Sequence, residues 1–109
     1  MKETKIYVGM SSKSSLEQTI DDETYISILK RVCRYYHVPI SITVSSGGYI
    51  MDNGEYVEEK SLIVSIIDVD DKIIGEVAKD LCVFFNQESV LITENEIRSY
   101  FVREELPEL

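Results

Sequence analysis

Two stretches decide how this chain folds: residues 20–37, IDDETYISILKRVCRYYH, and residues 69–86, VDDKIIGEVAKDLCVFFN. They match without a gap at a spacing of 49 residues. Asp21/Asp70, Asp22/Asp71, Lys30/Lys79 and Cys33/Cys82 are identical, and Ile28/Val77, Val32/Leu81, Tyr35/Phe84 and Tyr36/Phe85 are similar. In the first stretch Tyr25, Ile28, Leu29, Val32, Cys33 and Tyr36 recur at helical spacing, and in the second Ile74, Val77, Ala78, Leu81 and Phe85 do. Each spacing predicts an amphipathic helix with one apolar stripe. Asp21 and Asp70 are natural N-caps, and Ile20/Tyr25 and Val69/Ile74 are staple pairs across them. Pro39 ends the first helix and Asn86-Gln87 the second; Gly75 weakens the second by about 1 kcal/mol relative to alanine. Two Asp-capped amphipathic helices share much of this pattern through physics alone, whereas a duplicated β-α-β unit shares it by descent. Both readings give the same order of elements.

Outward from the helices, residues 5–10 alternate Ile6, Val8 and Met10 against Tyr7 and Gly9, a strand with one apolar face. Ile40, Ile42 and Val44 alternate with Ser41, Thr43 and Ser45; Gly47-Gly48 then predicts a bulge or bend. Asn53-Gly54 reads as a two-residue type I′ hairpin turn, with both residues at positive φ. The return strand runs from about residue 56 to 68, and residues 89–93 form a short fourth strand. Residues 97–102 read as extended or short-helical, with room for an extra C-terminal strand, and 106–109 as frayed. The order β-α-β-β-α-β predicts a ferredoxin-like α+β sandwich. Its four-stranded antiparallel sheet has the first and third strands central and both helices on one face. The chain reads as one α+β domain over residues 1–109, with its core at about 5–93 and a C-terminal extension over 94–109.

The chain has 109 residues, 44% of them apolar, with 11 Lys+Arg against 20 Asp+Glu, a net charge of −9, two cysteines and no tryptophan. That length suits one core. The acidic excess argues against direct nucleic-acid binding, which needs a clustered basic face. No apolar run reaches the ~18–20 residues of a membrane span, and no signal peptide is recognisable. Two cysteines make neither a disulfide framework nor a zinc quartet, so a cytoplasmic, reduced protein is expected. Cys33 and Cys82 read as small buried apolar residues.

Residues with a chemical repertoire each have a plainer reading. His37 ends a helix, where its charge complements the dipole. Gly47-Gly48 lacks the Lys-Ser/Thr of a phosphate loop. Asp68, Asp70 and Asp71 lack the glycine and distal glutamate of a calcium loop. Glu58 and Glu59 are strand neighbours and point to opposite faces. No catalytic residue, metal site or cofactor is therefore assigned. The serine-rich loop 11–19 is long for a βα connection, where 2–6 residues are usual.

The face of the sheet turned away from the helices is the more informative surface. Tyr7, Gly9, Ser41, Thr43, Ser45, Ile63, Ser65, Ile67, Leu91 and Thr93 are expected there, a set without charge. Tyr7, Ser41, Thr43, Ile63, Ser65, Ile67 and Leu91 are the candidate binding residues, and a semi-apolar face of this kind is usually covered. A second copy of the chain, the C-terminal tail or a small ligand are the candidate covers.

Phe85-Asn86-Gln87-Glu88-Ser89-Val90-Leu91 resembles a segment of a family of small bacterial proteins known only as a domain of unknown function. Ile6-Tyr7-Val8-Gly9, Gly47-Gly48-Tyr49 and Glu59-Lys60-Ser61-Leu62-Ile63-Val64 also look like that family. The likeness spans most of residues 5–93 and departs from the family in having no tryptophan. It implies the fold and no activity.

The leading expectation is a non-enzymatic interaction module that forms a homodimer, sheet to sheet, and binds a protein or small molecule. One alternative is a small enzyme with an intersubunit site near loop 11–19 and Tyr7. Another is an acidic decoy from a phage or mobile element, with Asp68, Asp70, Asp71, Asp80, Glu94 and Glu96 as one continuous band.

Overall fold

The computed structural model describes residues 1–11, 18 and 20–105. The chain forms β1 (Lys2–Gly9), α1 (Asp22–Tyr35), β2 (Ser41–Ile50), β3 (Tyr56–Ile67), α2 (Asp71–Phe84) and β4 (Leu91–Glu96). The four strands make one antiparallel sheet in the order β2-β3-β1-β4, the ferredoxin-like arrangement.

Both helices start and stop by the same chemistry. Asp21 accepts the Thr24 N–H at 2.7 Å, and Asp70 accepts the N–H groups of Lys72 and Ile73 at 2.8 and 3.3 Å. At the other end His37 and Asn86 adopt left-handed φ of 57° and 50°. The N–H groups of His37 and Val38 return to the carbonyls of Arg34 and Cys33, and those of Asn86 and Gln87 to Val83 and Cys82. This is a Schellman motif, repeated 49 residues apart with the caps. His37 therefore occupies the αL stop of α1, where His and Asn are tolerated best after glycine. The helix closes before Pro39 is reached.

The apolar stripes and the inward strand residues close over one another. Ile6, Val8, Met10, Leu29, Leu62, Val64, Ile66, Val77 and Leu81 are all within the buried core. Tyr25 packs against Phe85, the rings tilted by 49° with centroids 4.9 Å apart, and donates its hydroxyl to the Met10 carbonyl at 2.8 Å. Cys33 is buried, and that burial pushes its thiol up to about 11. Cys82 is only half-buried, so the expectation of two equivalent core cysteines holds for the first alone.

Several boundaries and turns depart from the sequence reading. The pairing of β2 with β3 runs unbroken through Gly47↔Glu59 and Gly48↔Glu58, so there is no bulge. A Cβ on Gly48 would collide with the Tyr56 ring: the glycine makes room for an aromatic lying across the neighbouring strand. The hairpin is not type I′. Met51 and Glu55 close a three-residue loop in which only Gly54 has positive φ (89°), and the Asn53 side chain accepts the Glu55 N–H at 2.9 Å. One left-handed residue after a type I turn accommodates the strand twist as well as two would. β1 starts earlier than expected because Thr4, buried among apolar neighbours, continues the inward alternation. β4 is displaced to 91–96 because it follows that early start, pairing Glu96 with Lys2. Residues 97–105 add no further strand. Tyr100, Phe101 and Val102 are 72, 95 and 85% exposed, so among the described residues the tail does not cover the sheet.

Candidate functional site

The register arranges the open face in rows. Thr43, Ile63, Tyr7 and Leu91 form one row; Ser41, Ser65, Lys5 and Thr93 the next; Ile67, Glu3 and Asn95 follow. In the opposite direction come Ser45, Ser61 and Gly9, then Gly47 and Glu59. All seven candidate residues share this face. The expectation that it carries no charge is overturned: Glu3 and Lys5 lie on it 3.9 Å apart, and Glu59 stands at its other end. The early start of β1 adds Glu3, while the alternation that turns Tyr7 and Ile63 outward turns Lys5 and Glu59 outward as well.

One place on this face is concave, and a second gathers acceptor groups. Ser41, Ser65 and Ile67 line a hollow of about 410 Å³ with Glu3, Pro39 and Ile40. The second, the Gly9 notch, lies at the end of β1, where the missing side chain lets its neighbours close in. There a Cβ on Gly9 would collide with the Glu59 carboxylate and stand 3.2 Å from Oε1 of Gln87. Gln87 follows the αL stop of α2, which aims it back at β1. Its amide nitrogen donates to the carbonyls of Ser11 and Phe85 at 2.7 and 3.3 Å, which turns its oxygen toward Gly9. A carboxylate and an amide oxygen thus converge over a residue with no side chain. Such a pair accepts from N–H donors and favours positive charge. Tyr7 lies two residues along the same face, with Leu91 and Ile63 on either side. These supply an apolar floor beside the acceptors.

The notch brings together Tyr7, Gly9, which was expected on this face, and two residues that the sequence reading did not make candidates, Glu59 and Gln87. Glu59 was legible as outward-facing from its parity with Ser61 and Ile63, but its juxtaposition with Gly9 depends on the β1–β3 register. Gln87 reads as a helix terminator, which it also is. The connection 11–19 begins at Ser11, held by Gln87; residues 12–17 and 19 lie outside the described ones. The six acidic residues do not form one band. Lys2 pairs with both Asp71 and Glu94, and Asp80, two and a half turns from Asp71, accepts the Tyr36 hydroxyl at 2.7 Å. Among the described residues no three His, Cys, Asp or Glu side chains cluster as metal ligands. No helix there is long and apolar enough to cross a membrane.

Sheet and helices define a ferredoxin-like α+β protein with an acceptor pair over the end of its first strand. No protein-family model and no curated protein matches the chain. Among solved structures it is similar to a phage SAM lyase in complex with S-methyl-5′-thioadenosine. The TM-score is 0.68 and the identity 22%, covering 87% of this chain and 80% of that one. It is also similar to a phage SAM lyase in the apo state, with TM-score 0.63, 21% identity and coverage of 98% and 92%. At this identity the likeness concerns the fold.

Proposed function

We propose that the protein binds S-adenosylmethionine at the Gly9 notch and cleaves it, releasing S-methyl-5′-thioadenosine. The observation that carries this reading is the convergence of the Glu59 carboxylate and the Gln87 amide oxygen over Gly9, on a fold shared with the phage enzyme. S-adenosylmethionine presents a sulfonium and an ammonium cation, both complementary to that acceptor pair, and a flat adenine suited to Tyr7, Ile63 and Leu91. Cleavage breaks the bond between sulfur and the four-carbon chain; the electron pair stays on sulfur and neutralises it. Two routes balance the remainder. The fragment's own carboxylate closes on the carbon that sulfur leaves, giving a lactone, or Glu59 accepts a proton from the adjacent carbon, giving an alkene. Incubation with S-adenosylmethionine and chromatography of the products tests the reading. S-Methyl-5′-thioadenosine is expected; Glu59→Gln lowers its formation about 10²–10⁴-fold if Glu59 takes the proton, and only through weaker binding if the lactone forms. Absence of both turnover and calorimetric binding at millimolar ligand overturns it.

A second reading rests on a separate observation. Ile67 and Leu91 are 47 and 62% exposed on the open face beside half-buried Tyr7 and Ile63, a surface fit for sheet-to-sheet pairing of two copies. Ile67→Glu is expected to abolish such a dimer in light scattering, and an unchanged mass refutes it.

A further inference from the structure

The helical side carries its own recess. Between α1 and α2 a groove of about 490 Å³ is lined by Ile28, Arg31, Val32, Tyr35, Tyr36, Asp80 and Phe84. Its walls are aromatic and open to solvent: Tyr35 is 76% and Phe84 57% exposed, and Tyr36 meets Tyr35 edge to face at 5.0 Å. Asp80 marks the α2 wall, with Glu76 one turn before it; Arg31 marks the α1 wall, with Arg34 close behind. Groups of both signs thus flank an apolar centre. The C-terminal segment shows the reciprocal order. Tyr100, Phe101 and Val102 are followed by Arg103 and then by Glu104 and Glu105, and all six are exposed.

We propose that Tyr100, Phe101 and Val102 of one copy dock in the α1–α2 groove of a second copy. Arg103 then faces Asp80 and Glu76, while Glu104 and Glu105 face Arg31 and Arg34. Charge complementarity selects this chain as the occupant, and the exposure of Tyr100, Phe101 and Val102, which do not rest on the groove of their own chain, points to a different copy. The tail departs from the β4 edge beside Lys2 and Asp71, where α2 begins, whereas Asp80 and Phe84 belong to the far half of that helix. The molecule measures 68 × 28 × 26 Å, although its longest strand, the twelve-residue β3, spans only about 40 Å. Each copy offers one tail and one groove, so the contact is heterologous and propagates head to tail until a ring closes. It is independent of the Gly9 notch and of the open sheet face.

Sedimentation velocity on the full chain and two variants tests this. Phe101→Asp removes the tail's apolar anchor and Phe84→Asp charges the groove; both side chains are largely exposed, and circular dichroism verifies folding. Wild type is expected to associate at tens of micromolar and each variant alone to weaken association at least tenfold. An equimolar mixture of the two is expected to form a one-to-one complex, because it retains one intact tail and one intact groove. A peptide of residues 98–105 is expected to bind the Phe101→Asp protein and not the Phe84→Asp protein. A wild type that stays monomeric overturns the proposal, as does Phe101→Asp associating like wild type, a mixture that gains no mass, or peptide binding indifferent to Phe84→Asp.

Discussion

Gly9 shows how much one missing side chain can organise. Its hydrogen leaves space that the Glu59 carboxylate fills, so Gly9→Ala has to displace the flexible end of Glu59 while the strand pairing of β1 stays as it is. S-Adenosylmethionine binding is expected to weaken at least tenfold in calorimetry, with the thermal midpoint little changed. Tyr36 makes a different point. Its hydrogen bond to Asp80, reinforced by partial burial, pushes its phenol up to about 12. Because the folded value lies above the ordinary 10.0, the neutral phenol stabilises the fold below pH 10, and that contribution disappears as pH rises toward 12. Tyr36→Phe is expected to remove this alkaline loss from chemical-denaturation curves and one late phenolate from the spectrophotometric titration. Neither pairing was legible in the sequence. Glu59 and Gly9 are 50 residues apart and meet only through the register of two strands, and Tyr36 and Asp80 only through the crossing of two helices.

The helices were readable because their signals are local. Caps, staples and stripes lie within 18 residues, and the αL stops at His37 and Asn86 carry the 49-residue correspondence of the two helices to their ends. Gly75, the weak position of α2, has open space where a Cβ would stand. Gly75→Ala is therefore expected to stabilise the protein by about 1 kcal/mol in urea denaturation, with an unchanged m-value. The strands were readable in their alternation and less so in their ends. Lys2-Glu3-Thr4 carries no apolar residue, and only its pairing with β3 and β4 reveals it as strand. Gly47-Gly48 looked like an interruption because its occupant, Tyr56, approaches from the other side of the hairpin.

For the protein as a whole, acid is the expected route to unfolding. The Thr24 hydrogen bond lowers the Asp21 carboxyl, Gln18 and Lys60 lower Asp22, and Lys2 lowers Asp71. Their folded values lie below the ordinary 3.8, so their stabilisation is complete above it and disappears as pH falls through those lower values. The thermal midpoint is expected to fall below about pH 4, and Asp71→Asn should flatten part of that fall. One asymmetry of the sheet has a dynamic corollary. β1 ends at Gly9, so past Lys60 the β2–β3 hairpin continues as a two-stranded ribbon whose β3 edge has no strand beside it among the described residues. An unsupported ribbon opens at little free-energy cost, so its amides should exchange with solvent long before those of Ile6 or Val64. Glu59 sits on the hinge line between the quick and the slow halves, where an occupant of the notch would slow exchange out to Tyr49 without touching it.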